Sequence, residues 1–60
     1  MEKIYTPHQV AEALHIRPTT VYWLLHTKQM RAYRMATRWK IPESSVEAWM
    51  QEQLKGELNG

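Results

Sequence analysis

The sequence predicts a mainly α-helical domain with one small β-hairpin, its elements running helix, helix, hairpin, helix. Two observations carry this prediction. Apolar residues recur at helical spacing in three separate stretches, each opened by a proline at or just before its start. Between the second and third stretches, two short runs alternate in character and contain aromatic residues, as paired strands do.

Ile4-Tyr5 reads as a short extended lead-in. Thr6-Pro7-His8-Gln9 then reads as a helix start. Thr6 caps, Pro7 takes the first helical position, and Gln9 stands where a capping box places Glu or Gln. Val10, Ala11 and Leu14 give this helix one apolar face. It is expected to end near His15, because Arg17 precedes a proline and is pushed out of the helical region. Pro18 restarts a helix whose buried face is Val21, Leu24 and Leu25, running to about Lys28. Residues 32–35 and 38–41 are the two strands of the hairpin, turning near Ala36-Thr37. Neither turn residue accepts a positive φ cheaply, so a loop longer than two residues is one expectation. Pro42 closes the second strand. Ser44-Ser45-Val46-Glu47 is a capping-box pattern for the last helix, which lines up Val46, Trp49, Met50 and Leu54, with Gly56 as its stop. Trp39, Ile41 and Trp49 are expected in the core.

Sixty residues make one small domain, assigned to residues 1–55, with 56–60 expected as a flexible tail. A chain of this size buries only about 60% of its unfolded surface. Its core supplies no more than roughly 3–5 kcal/mol. There is no cysteine, so disulfides and thiolate metal sites are excluded. The longest run without a polar residue is Val21-Tyr22-Trp23-Leu24-Leu25, far short of the about 20 residues that span a bilayer. With no apolar signal region either, the expectation is a soluble cytoplasmic protein.

The net charge of +2 hides a segregation. From Ala13 to Pro42 there is no acidic residue, yet the window holds Arg17, Lys28, Arg31, Arg34, Arg38 and Lys40. All six carboxylates lie outside it. One stretch of chain is thus a cationic surface, and a polyanion is the partner it suits. Metal binding and catalysis find no support. His8, His15 and His26 include no pair at the i, i+4 spacing of a helical metal site. No nucleophile stands beside a base, and there is no glycine-rich phosphate loop. No cofactor is expected.

The region from Val10 to Leu24 sets two short helices around a turn of about three residues, His15-Ile16-Arg17. Small Ala11 lets the second helix approach the first. This is the pattern of a helix-turn-helix, whose second helix enters the DNA major groove.

At this point the chain resembles the excisionase-type DNA-binding domains, small winged helix-turn-helix proteins related to the DNA-binding region of MerR regulators. The matching stretches are Tyr5-Thr6-Pro7-His8-Gln9-Val10-Ala11-Glu12-Ala13-Leu14, Thr20-Val21-Tyr22, Arg38-Trp39-Lys40-Ile41-Pro42 and Val46-Glu47-Ala48-Trp49. Together they cover about residues 4 to 54. The chain departs from the family in having His15 where the helix-helix turn usually has Gly, and Ala36 where the hairpin tip tends to have Gly. His is among the residues enriched in the left-handed region. Arg17 stands where relatives often carry Ser, which removes a side-chain cap and sets a cation at a helix N-terminus; a bound phosphate would relieve that penalty.

The resemblance implies Thr19, Thr20, Trp23 and His26 as the groove-reading positions, with Tyr22 beside them. Thr19 and Thr20 equally suit an ordinary helix start, and at least one of Tyr22 and Trp23 is expected to pack against the hairpin or third helix. In the wing, Arg34, Thr37, Arg38 and Lys40 are the candidate contacts. Arg38 at the tip suits the minor groove, whereas Arg34 and Lys40 also suit solvated strand positions. Arg17 is assigned to the phosphate backbone.

The function implied is sequence-specific binding of double-stranded DNA by an architectural recombination directionality factor. Such a factor binds tandem sites, bends DNA and steers a recombinase toward excision. The implied partners are copies of itself on adjacent sites and an integrase, in a nucleoid-associated setting of bacterial or phage origin. A small transcriptional regulator is the alternative on the same surface. A winged-helix module that binds protein through Tyr22 and Trp23 is a reading of a different class.

Overall fold

A computed structural model describes residues 2–59, with side chains for residues 2–56. Its elements are β1 (Ile4–Tyr5), α1 (Pro7–Leu14), α2 (Pro18–His26), β2 (Tyr33–Met35), β3 (Arg38–Pro42) and α3 (Glu43–Asn59). The order is the expected one, and the lead-in proves to be a strand. β1 pairs antiparallel with β3, Ile4 opposite Pro42 and Tyr5 opposite Ile41, so the sheet has three strands in the order β1-β3-β2. The sequence shows no partner for Ile4-Tyr5, because a two-residue strand is defined by the ladder it completes with residues 41 and 42, far along the chain.

Both early helices begin as their sequences direct. Thr6 Oγ1 accepts from the Gln9 N–H at 3.2 Å while the Thr6 N–H donates to Gln9 Oε1 at 2.9 Å, a complete capping box. Arg17 is extended at φ −77°, ψ 146° and makes no side-chain cap, so α2 starts on Pro18 alone.

They also end alike. The Ile16 N–H donates to the Ala11 carbonyl and the His15 N–H to the Glu12 carbonyl, while His15 is left-handed at φ 57°. The Gln29 N–H donates to Leu24 and the Lys28 N–H to Leu25, with Lys28 at φ 62°. Each is a Schellman closure, the 6→1 and 5→2 bond pair around a left-handed residue. α2 therefore stops at His26, two residues before the expected Lys28, and Lys28 becomes the closing residue. Its charge there complements the helix dipole.

The hairpin turn is two residues long, not longer. Met35 pairs with Arg38, leaving Ala36-Thr37 as the loop, and Ala36 takes φ 58°. Of the two loop residues only Ala36 has a positive φ. The tight turn wins although Ala is a poor residue for it, because the flanking strands hold three consecutive pairs.

The last helix differs from expectation at both ends. No hydrogen bond joins Ser44 to Glu47 among the described residues. Instead the first turn is capped by the chain N-terminus: the Ser44 N–H donates to Glu2 Oε1 at 2.6 Å and the Glu43 N–H to the Lys3 carbonyl at 2.9 Å. The helix also runs through Gly56 to Asn59. A methyl at Gly56 would meet nothing within 4 Å, so the glycine marks open space and not a stop. The expected flexible tail, 56–60, lies mostly outside the described side chains.

The core is Val10, Ala11, Val21, Leu24, Leu25, Met30, Ile41 and Val46, with Ile41 and Val21 fully buried. Trp39 and Trp49 are partly buried and pack against it from the edge. Met50 and Leu54, expected on the buried face of α3, are 38% and 54% exposed. Of the α3 residues, Val46 is core and Trp49 packs against it, while Met50 and Leu54 stay exposed.

Candidate nucleic-acid interface

The shared seam of α1 and α2 dictates what α2 presents. Val21, Leu24 and Leu25 are buried, so the opposite stripe faces out. Thr19, Thr20, Trp23 and His26 are all exposed there, Trp23 at 56%. Tyr22 lies at the margin, half-buried. Of the two aromatics, Tyr22 is half-buried and lines a cleft beside the hairpin, whereas Trp23 is exposed.

The hairpin is fastened to α2 through one ring. His26 meets Trp39 edge-to-face, centroids 6.0 Å apart at 89°. The Arg34 guanidinium lies 5.1 Å from the centre of the same indole. Such contacts contribute about 0.5–1 kcal/mol each at exposed sites. Their larger effect is orientation. A guanidinium stacked on a ring keeps its in-plane N–H groups directed outward, ready for phosphate oxygens. The cross-strand register sets this up, since Arg34 stands directly opposite Trp39.

Between α2 and the hairpin runs an open cleft of about 430 Å³. It brings together Tyr22 and His26 from α2 with Arg34, Thr37 and Arg38 from the hairpin. The remaining candidates lie elsewhere. Arg17 is exposed at the head of α2, Thr19, Thr20 and Trp23 lie on its outer stripe, and Lys40 is half-buried and outside the cleft. Alternation sets Arg38 and Lys40 on one face of β3 and Trp39 and Ile41 on the other, and of the two cations only Arg38, beside the turn, lines the cleft.

Thr6, Pro7 and His8 at the head of α1 also line the cleft. The sequence reading used them only as a helix start. Their capping pattern shows that a polar helix N-terminus exists; only packing shows that it opens beside the wing.

The electrostatics follow from what is missing around the cations. Among the described residues the one ion pair is Lys55–Glu52, 3.8 Å apart on the exposed face of α3. None of the six cations between Ala13 and Pro42 has a carboxylate partner there. No α3 residue lines the cleft, so the acids of that helix do not shield it. No helix among the described residues is long and apolar enough to cross a membrane.

This geometry is that of a winged helix-turn-helix: two short helices at a tight turn, a hairpin with a two-residue turn beside the second, and a supporting third helix. The family model described as "Helix-turn-helix domain" matches residues 4–54, most of the chain. Neither the curated proteins nor the solved structures gave a match. With packed helices, turn and wing all lying inside the matched span, this chain belongs to the helix-turn-helix domain family, a family of DNA-binding domains and not of enzymes.

Proposed function

We propose that this protein is an architectural double-stranded DNA-binding factor of excisionase type, occupying adjacent sites in several copies and directing a recombinase toward excision. The observation that carries it is the separation of roles on one surface: cations without carboxylate partners among the described residues flank a reading helix that itself holds no Lys, Arg, Asp or Glu. In this reading α2 lies in the major groove, with Thr19, Thr20, Trp23 and His26 at base edges and Tyr22 beside them. Arg38 and Thr37 at the hairpin tip enter the minor groove. Arg17, Arg34 and Lys40 hold phosphates, and Lys40 does so at the edge of the footprint, outside the cleft.

Contacts of this kind favour phosphate neutralisation over base discrimination. A single module buries about 600–1,000 Å² and binds with marked salt dependence. Discrimination then comes from repeated sites, copies on neighbouring turns of the helix and DNA bending. An integrase is the natural partner, in a bacterial or phage genome. A transcriptional regulator uses the same surface without the recombinase.

The first test is a salt titration of binding to duplex DNA. Affinity is expected to fall linearly on a log-log plot. Arg17→Ala, which removes one assigned phosphate contact, is expected to weaken binding to every sequence and lower the slope by about one. Undetectable or salt-insensitive binding overturns the reading. An excision assay with the cognate integrase then decides the role: promoter repression without an effect on excision selects the regulator.

A further inference from the structure

We propose that the reading helix recognises pyrimidine C5-methyl groups, received on the exposed indole of Trp23 with the Thr19 and Thr20 methyls beside it. The inference rests on the DNA-binding reading above and names what that surface selects.

The argument starts from which side chains are absent. Direct readout in the major groove relies on Arg or Lys for guanine, Asn or Gln for adenine, and Glu or Asp for cytosine. From Pro18 to His26 the helix contains none of these six residue types. His26 shares the reading face but also meets Trp39 edge-to-face, and Tyr22 is half-buried at the cleft. The free groups on the outer stripe are two threonines and a tryptophan.

Trp23 stands out among them. It is 56% exposed and one helical turn from both threonines. It also sits on a fixed piece of backbone, because the Trp23 carbonyl accepts from Thr27 Oγ1 at 2.8 Å and from the Thr27 N–H at 3.0 Å. A large rigid apolar ring on a helix that meets the major groove faces edges that are otherwise polar. The C5-methyl is the one apolar group those edges carry. Thymine supplies it directly, and 5-methylcytosine supplies the same group on a G·C pair.

The test uses the full chain and duplexes enriched from a randomised library. Each thymine is replaced in turn by deoxyuridine, which removes only the methyl, and in a parallel series each cytosine by 5-methylcytosine. Affinity is expected to fall about fourfold for each contacted thymine methyl removed. Trp23→Ala is expected to abolish this sensitivity and Trp23→Phe, which keeps an aromatic face, to retain most of it. A gain with 5-methylcytosine and no loss with deoxyuridine makes methylated cytosine the source of the methyl. Insensitivity to both replacements overturns the proposal while leaving DNA binding intact. Sensitivity that survives Trp23→Ala overturns the role of Trp23. If no duplex is bound at all, the DNA-binding reading fails and takes the proposal with it.

Discussion

His15, Lys28 and Ala36 take positive φ without being glycine. A left-handed L-residue costs roughly 1–2 kcal/mol, less for His than for a residue without local hydrogen-bonding capacity. At His15 and Lys28 the cost is offset by closing a helix, since each supports two carbonyl bonds. Ala36 has no such return beyond the turn itself. Ala36→Gly is therefore expected to stabilise the domain by about 1 kcal/mol, read as a raised midpoint in urea with an unchanged m-value. No gain would mean that the flanking strands already relax the turn. The glycines that the family tends to carry at the positions of His15 and Ala36 are thus favourable but not obligatory. Trp49 illustrates a different residue-level tension, because its buried indole N–H finds no acceptor among the described residues.

The elements interlock through their ends. α3 is long, yet its start is held by residues from the other end of the chain: Glu2, Lys3 and, through its hydroxyl at 3.3 Å from Glu43 Oε2, Tyr5. Hydrogen bonds from the Ser44 hydroxyl and then the Ser44 N–H hold the Glu2 carboxyl below the usual glutamate range, against a smaller opposing effect of desolvation. A carboxyl with a depressed folded pKa stabilises above its unfolded pKa, and that contribution is lost as pH falls through the folded value. Glu2→Gln is thus expected to lower the melting temperature slightly at neutral pH and to converge with the parent protein in acid, below the ordinary glutamate range. Circular dichroism melts across pH check this; a constant difference at all pH values would mean that charge at Glu2 plays no part.

At the scale of the whole molecule the domain is a small core with two attachments, the wing and the far end of α3. Everything converges on β3, whose Ile41 is fully buried while Trp39, two residues earlier, anchors the wing to α2. Truncating a buried isoleucine to alanine costs about 2–5 kcal/mol. That is comparable to the roughly 3–5 kcal/mol a core of this size supplies. Ile41→Ala is expected to leave the chain largely unfolded at room temperature, seen as loss of amide dispersion and of helical circular dichroism. A variant that stays folded would show that the domain has more reserve than its size suggests.

Local rules account for most of what the sequence by itself determined. Caps, prolines and 3.6-residue spacing act within a turn or two, so α1, α2, the Arg17 break and the Thr6-Gln9 capping box were all legible. The acid-free window was equally plain, being a matter of composition. Other features involve partners distant in the chain. Nothing local marks Met30 as core, Glu2 as the cap of α3, or Ile4-Tyr5 as a strand, because each is defined by what another segment brings to it. The candidate interface divides the same way. Its residue types were legible in the sequence and its reading positions followed from the resemblance, whereas the cleft depends on Trp39 gathering His26 and Arg34 around one ring. The tertiary structure also decided that Trp23 stays free while Tyr22 is half-buried, since helical periodicity ranks positions around an axis but does not say where a neighbouring element stops covering them.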